Sequence, residues 1–212
     1  MNELKIGWAS RDVSTDKPVD IPGQFNIRVS QGVIDPITVT ALVIDNGGDI
    51  AVFLSADFVA IRSYLLEEIR AKVATRVPGL PVNKIVMSCT HTHAGASYYK
   101  STSSMSTPAE VPHEGIEIAS GDEYREFLST QAADAVAEAY NRRAPGGVAY
   151  GYGYAVVAHS RRTVYFDDTS LRPGQAGNGF RVDGHGVMYG NTNDDNFSHF
   201  EAGADHFINL LY

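Results

Sequence analysis

The fold and the candidate site both depend on one stretch, residues 84–96, whose sequence is KIVMSCTHTHAGA. Four of its first six residues are apolar, which predicts a buried β-strand that ends in a polar Thr-His-Thr-His segment. Because side chains alternate along an extended chain, His91 and His93 are expected on the same side. Ligands of open α/β sheets bind beyond the carboxyl ends of the strands. The stretch therefore predicts a site at a strand end, where two imidazoles face a metal or a polarised carbonyl.

The residues before this stretch predict a hairpin, a helix and a strand, in that order. Residues 37–45 and 49–58 are rich in aliphatic side chains and are joined by Asn-Gly-Gly, which is typical of a β-hairpin. Apolar residues four apart over residues 61–77 predict a helix that ends at Pro78. A right-handed crossover through this helix to a strand at 82–88 places Asp57 and His91 at the same sheet edge. Asp57 is then expected either to orient a ligand imidazole or to cap the helix.

The remaining periodicity predicts an α/β fold with a mixed β-sheet flanked by helices, forming a single domain over residues 1–212. A first strand is expected at 4–13, a functional loop or lid at 94–121, and a long amphipathic helix at 122–143. Strands are expected again at 147–158, 163–166 and 207–212, with an irregular region at 171–196.

Composition excludes several classes of function. The formal net charge is −8, which disfavours an extended surface for nucleic acid or anionic membrane. Cys89 is the only cysteine, so an intrachain disulfide and a cysteine-based zinc finger are both excluded. We find no apolar run of transmembrane length and no signal peptide, so a cytoplasmic location is the default expectation. The oligomeric state stays open.

The two histidines of the motif support more than one interpretation. They can bind a metal or polarise a substrate carbonyl, or they can simply form hydrogen bonds at a strand end. A catalytic zinc ion usually has three protein ligands. None of the remaining histidines has the spacing of a recognisable partner; these are His113, His159, His185, His199 and His206.

Two other groups are candidates for substrate contacts. Arg161 and Arg162 lie between two predicted strands, where an arginine either reaches a substrate oxygen or forms a solvated turn. Cys89 adjoins the histidines, but no separate base is apparent that would activate its thiol. A packed side chain is therefore favoured over a cysteine nucleophile.

The motif and its surroundings resemble the neutral/alkaline, non-lysosomal ceramidase family. Residues 88–95, SCTHTHAG, are similar to that family's Thr-His-Thr-His-Ser-Gly signature, with Ala94 where the family commonly has serine. The resemblance extends over nearly all 212 residues and corresponds to the N-terminal part of the family's catalytic domain. Further segments that resemble the family, in the same order, are residues 6–14, Pro22-Gly23, 52–57, 159–162, 191–193, Asp205-His206 and Leu210-Leu211.

This resemblance implies a zinc-dependent amidohydrolase that cleaves the N-acyl bond of ceramide-like lipids. It implies that His91 binds zinc, and that His93 is the catalytic residue that holds the substrate and its developing oxyanion. Gly23, through its backbone, and Arg161 would line the same substrate pocket. The family's other zinc ligands lie further along the chain, so the resemblance also implies ligands beyond Tyr212 and a C-terminally incomplete site. The alternative is a non-catalytic module that binds a small molecule or lipid at His93 and Arg161.

Overall fold

The computed structural model describes residues 3–24, 28–99, 115–173 and 184–212, which form two α-helices and ten β-strands. The helices are α1 (Ser63–Arg76) and α2 (Gly121–Asn141). The strands are β1 (Lys5–Asp12), β2 (Thr38–Asp45), β3 (Ile50–Ala56), β4 (Ile85–Cys89), β5 (Ala144–Pro145), β6 (Tyr150–Tyr154), β7 (Arg162–Tyr165), β8 (Gly186–Met188), β9 (Phe197–Phe200) and β10 (Phe207–Leu211). They divide between two compact units, Met1–Gly147 and Val148–Tyr212. That residues 1–212 act as one domain stays a prediction.

The first unit is built on a five-stranded mixed sheet with the strand order β4-β3-β2-β1-β5. Strand β2 runs antiparallel to both β1 and β3, with Trp8 opposite Leu42 and Leu42 opposite Phe53. Strand β4 runs parallel to β3, from Val52 opposite Ile85 to Ala56 opposite Cys89. The predicted α/β fold with a mixed sheet is therefore confirmed.

The core of this unit lies between the sheet and α2. Val39, Ala41 and Val43 alternate with more exposed neighbours along β2 and are fully buried. Strand β1 comes so close to the helix that a Cβ on Gly7 would lie 2.0 Å from the Ala139 carbonyl oxygen. Helix α1 packs against α2, and its Leu65, Ile69 and Val73 are fully buried. Burial of each Leu, Ile or Val side chain stabilises the folded state by about 1.5–3 kcal/mol. The face of the sheet that carries these side chains is therefore the one that the helices cover.

The two helices begin differently. Ser120 precedes α2, and its hydroxyl accepts a hydrogen bond from the Glu123 amide at 3.1 Å, while Asp122 and Glu123 occupy the first turn. Carboxylates there interact favourably with the helix dipole. Helix α1 follows Arg62 without a side-chain cap. The start of α1 therefore depends on other contacts, which come from the segment after the histidine motif.

The parallel pairing of β3 with β4, joined through α1, positions the motif. It sets the carboxyl ends of both strands at one edge, where the Thr90 amide donates to the Ala56 carbonyl at 3.0 Å. The sequence predicted this arrangement. Residues 91–96 thus leave the sheet beside the segment that follows β3.

The second unit contains two small antiparallel sheets. Strand β6 pairs with β10, and β7 lies between β8 and β9. Strands β6, β7 and β10 fall where the sequence predicted them. The region predicted to be irregular contains β8, a three-residue strand of weak local propensity that is held by its pairing with β7; residues 174–183 of that region lie outside the described residues. In the described ranges, neither helix has the length and apolar character needed to cross a membrane.

Candidate functional site

His91, two residues beyond the end of β4, has an unusual backbone conformation. Its φ of 59° lies in the left-handed region, which non-glycine residues adopt rarely and at a cost in conformational energy. Its ring Nδ1 lies 2.5 Å from the Val59 carbonyl oxygen. Since a carbonyl only accepts, Nδ1 carries a hydrogen, and this contact selects the tautomer in which Nε2 is the nitrogen that can bind a metal. A main-chain acceptor on the second ring nitrogen is the usual support of a metal-binding histidine.

His93 faces His91 across the turn. Their Nε2 atoms are 3.4 Å apart, and their rings meet edge to face with centroids separated by 5.0 Å. The sequence predicted that the two rings share a side because it treated both as part of a strand. The strand ends at Cys89, however, and the turn at His91 brings the rings together instead.

Gly23 contacts the other edge of the His93 ring. Its φ is +100°, and a Cβ there would lie 2.6 Å from Nδ1 of His93. Both the backbone conformation and the close approach therefore require glycine. The structure thus brings Gly23, His91 and His93 together. That they line one substrate pocket stays a prediction.

Asp57 has neither of the two roles considered from the sequence. Its Oδ2 accepts hydrogen bonds from the amide and the hydroxyl of Thr38, both at 2.9 Å, and its Oδ1 accepts one from the Thr90 hydroxyl at 3.2 Å. The residue preceding α1 is Arg62, and the carbonyl that orients His91 belongs to Val59. Asp57 instead links the end of β3 to Thr38, which begins β2, and to Thr90, the residue before His91.

The segment after the motif is anchored to the core. A Cβ on Gly95 would lie 2.4 Å from the Asp57 carbonyl oxygen, so this glycine allows close packing of the two chain segments. Tyr98 is buried; its hydroxyl donates to the Ala60 carbonyl at 2.6 Å and accepts from the Arg62 amide at 2.9 Å. Burial raises the pKa of Tyr98 above its ordinary value. These contacts fix the start of α1 and the chain beyond His93. Residues 100–114 of the predicted loop lie outside the described residues.

An apolar cavity of about 310 Å³ opens in the first unit, beside the residue that follows His93. Ser14, Thr15, Ser30 and Asp35 contribute its polar atoms. The apolar lining comes from Val19, Ile21, Val33, Ile37, Ala94 and Ala96. A concave, mainly apolar site with a few polar groups is the usual form of a small-molecule pocket. Sequence patterns did not indicate this cavity, because its walls come from loops without periodicity.

Arg161 belongs to the second unit. It is exposed, and its guanidinium lies 5.2 Å from the centre of the Tyr189 ring. Neighbouring Arg162 instead pairs with Glu201, with Nη2 donating to Oε1 at 2.8 Å. Of the two arginines, Arg161 has the guanidinium available for a ligand. Its participation in the pocket of His93 stays a prediction.

The motif fits a zinc site through His91. Its Nδ1 is held by the Val59 carbonyl, so Nε2 is the nitrogen that would bind the ion, and the Nε2 of His93 lies 3.4 Å from it. The part of the chain that the structure describes contains no group of three or more His, Cys, Asp or Glu side chains suited to a metal. Of the other histidines, four belong to the second unit and His113 lies outside the described residues. Cys89 is half-buried and packs against the core, in keeping with a packing role.

Comparisons with known proteins support the fold. No family model and no curated protein matches the sequence. Among solved structures, the chain is similar to neutral ceramidase from Pseudomonas aeruginosa, with 16% identity and a TM-score of 0.55 over 78% of this chain. It is also similar to a structure described as a ceramidase complexed with C2, with 18% identity and a TM-score of 0.58 over 84% of this chain.

These neighbours define the class of fold. At such low identity the similarity shows a ceramidase-like fold, in agreement with the mixed sheet and helices described above. The chain spans only about a quarter of the two solved structures, 25% and 27% of their lengths. Activity, substrate and cofactor therefore remain matters for proposal.

Proposed function

We propose that this chain forms part of the site of a zinc-dependent amidohydrolase that cleaves the N-acyl bond of ceramide-like lipids. The observation that carries the proposal is the convergence of the His91 and His93 Nε2 atoms, 3.4 Å apart, with Gly23 packed against the same ring. The ceramidase-like fold supports the choice of reaction class, although fold alone does not determine function.

His91 is the proposed zinc ligand. The Val59 carbonyl orients its ring, so Nε2, which lies 3.4 Å from the Nε2 of His93, is the nitrogen that would bind a cation. When bound, zinc lowers the pKa of a coordinated water to roughly 7 and polarises a carbonyl group. The described residues do not group a complete ligand set around His91, so the proposal requires further ligands.

His93 is the proposed partner of the substrate oxygen. Its Nε2 lies 3.4 Å from the Nε2 of His91, so an amide oxygen beside a cation on His91 would be within its hydrogen-bonding reach. A hydrogen donated from Nε2 would stabilise the negative charge that develops on this oxygen. Gly23 closes the other side of the ring and limits its rotation.

The apolar cavity supports a lipid as the substrate. Ala94 joins the His93 turn to a wall made of Val19, Ile21 and Val33, which suits a hydrocarbon chain attached to the reacting amide. Arg161, exposed on the second unit, remains the candidate substrate contact that the resemblance implies.

The direct test is hydrolysis of an N-acyl sphingoid amide by the purified, intact gene product, measured as release of the fatty acid. We expect turnover that stops after chelation and returns with zinc. His93→Gln should lower turnover roughly 100-fold or more, as loss of an oxyanion donor does. Exposed His199→Gln is the control and should hydrolyse at the wild-type rate. Hydrolysis that persists after chelation, or in His93→Gln, would refute the proposed roles.

A non-catalytic binding module is the second candidate. It is favoured by the absence of a three-ligand metal group in the described ranges, together with a preformed apolar cavity. Titration calorimetry separates the two functions. Micromolar binding of a non-hydrolysed lipid amide, with zinc binding no tighter than millimolar, would establish the module and exclude the enzyme.

A further inference from the structure

We propose that Arg28 is a positioning residue that holds Gly23 against the ring of His93. This inference rests on the function proposed above and adds a residue that no sequence pattern indicated.

Arg28 joins the two segments that meet at this contact. Its Nη2 donates to the His93 carbonyl at 2.5 Å and to the Pro22 carbonyl at 3.4 Å. Pro22 directly precedes Gly23, so one guanidinium nitrogen links the main chain on both sides of the Gly23–His93 contact. The backbone of Arg28 is itself fixed, because its carbonyl accepts from the Ile21 amide at 2.9 Å.

The charge environment of Arg28 argues against a role as an ion pair. Two half-buried arginines of this unit, Arg76 and Arg125, have carboxylate partners in Asp134 and Glu68. Within the described ranges Arg28 has no carboxylate partner, and its buried Nε has no hydrogen-bond partner. Withdrawing a cation from water without a counter-charge costs folding free energy. Its contacts with the two carbonyls therefore suit a positioning role better than a stabilising one.

Loss of Arg28 should act on His93 and leave His91 in place. His91 is oriented separately, through Nδ1 and the Val59 carbonyl. Without the guanidinium, the Pro22–Gly23 segment can move away from the His93 ring, which then gains rotational freedom. A displacement of about 1 Å in a catalytic group can cost on the order of 100-fold in rate.

Arg70 provides a matched control. It is also half-buried, its Nη2 donates to a main-chain carbonyl, that of Ile85 at 2.7 Å, and its Nε is buried without a partner in the described structure. Ile85 begins β4, whereas His93 lies beyond the other end of that strand. Arg70→Met therefore removes a comparable contact outside the candidate site.

The first experiment does not depend on activity. NMR spectra of Arg28→Met, Arg28→Lys and Arg70→Met are compared with the wild type at the Gly23 amide and the His93 ring. We expect both resonances to shift in Arg28→Met, to shift less in Arg28→Lys, and to stay unchanged in Arg70→Met. Lysine keeps a hydrogen-bond donor but lacks the planar guanidinium, so we expect an intermediate shift in Arg28→Lys. If Arg28→Met does not fold, Arg28→Lys still provides the comparison. Unchanged Gly23 and His93 resonances in a folded Arg28 variant would overturn the proposal.

The second experiment measures hydrolysis of the N-acyl amide by the same variants. We expect kcat to fall 10- to 100-fold in Arg28→Met with KM nearly constant, partial recovery in Arg28→Lys, and wild-type kcat in Arg70→Met. Equal losses in Arg28→Met and Arg70→Met would show a merely structural role and overturn the proposal. If the wild type hydrolyses no amide, the proposed function fails, while the NMR comparison still decides the role of Arg28.

Discussion

A methyl group on Gly23 would lie 2.6 Å from Nδ1 of His93, closer than a real Cβ approaches another heavy atom. The backbone of Gly23 and the imidazole of His93 are therefore in direct packing contact. Within the described part of the chain, this contact links the loop around residue 23 to the motif that follows β4.

We predict that Gly23→Ala lowers amide hydrolysis roughly 100-fold, because the new methyl group displaces the His93 ring. The left-handed conformation of Gly23 adds a stability cost of about 1–2 kcal/mol. Gly79→Ala is the matched control, since Gly79 has nearly the same φ, +102°, and open space around its Cβ position. Urea unfolding should show destabilisation in both variants, larger in Gly23→Ala because of the clash with His93, while the kinetic assay should show lost activity in Gly23→Ala alone. Equal activities would contradict the role of the contact.

Asp57→Ala should destabilise the protein by about 1–3 kcal/mol. The substitution removes the acceptor for the Thr38 amide, the Thr38 hydroxyl and the Thr90 hydroxyl at the ends of the central strands. Chemical unfolding gives the measurement, with exposed Asp16→Ala as the control. A loss no larger than that of Asp16→Ala would show that this network adds no stability.

The buried tyrosines predict a loss of stability at alkaline pH. Burial raises the pKa of Tyr98 and of Tyr124, whose hydroxyl donates to the Val13 carbonyl at 2.6 Å. In the unfolded chain these phenols ionise near pH 10, while in the folded protein they stay neutral. Their stabilising contribution is therefore complete below pH 10 and is lost as the pH rises above 10.

Urea unfolding between pH 8 and about pH 11 tests this dependence. Replacing both Tyr98 and Tyr124 by Phe should flatten the decrease above pH 10. Tyr152→Phe removes an exposed hydroxyl in the second unit and should leave the decrease unchanged. The same slope in the double variant and the wild type would contradict the prediction.

Ser120→Ala should destabilise α2 and the core around it by about 1 kcal/mol, because the Glu123 amide loses its capping acceptor. Ser63→Ala at the start of α1 is the control, since that helix has no side-chain cap. Thermal unfolding of the two variants provides the comparison, and equal midpoints would exclude a capping contribution.

The hydrophobic pattern was sufficient to predict both helices of the first unit and four strands of its sheet, but not the two-residue strand β5. Period-two alternation around Val39 and Val43, and period-four spacing through Leu65, Ile69 and Val73, are local signals that the packed core preserves. The crossover rule then placed the ends of β3 and β4 together. Strand β8 escaped prediction because its stability comes from pairing with β7, which local sequence does not encode.

The candidate site was less predictable. The motif singled out His91 and His93, but the positive φ of His91 and its bond to Val59 arise from tertiary contacts. Arg28 lies 65 positions before His93 and has no motif of its own, so no spacing rule connects the two residues. Gly23 entered only through the resemblance to ceramidases, and its contact with His93 is a finding of the structure.

The proposed zinc site is tested most directly by the zinc content of the purified gene product after dialysis, measured by inductively coupled plasma mass spectrometry. The His91→Ala variant is compared with the wild type, and His199→Ala serves as the exposed control. We predict one zinc ion per chain in the wild type and in His199→Ala, and none in His91→Ala. A wild-type protein without zinc, or a His91→Ala variant with the wild-type amount, would contradict the account.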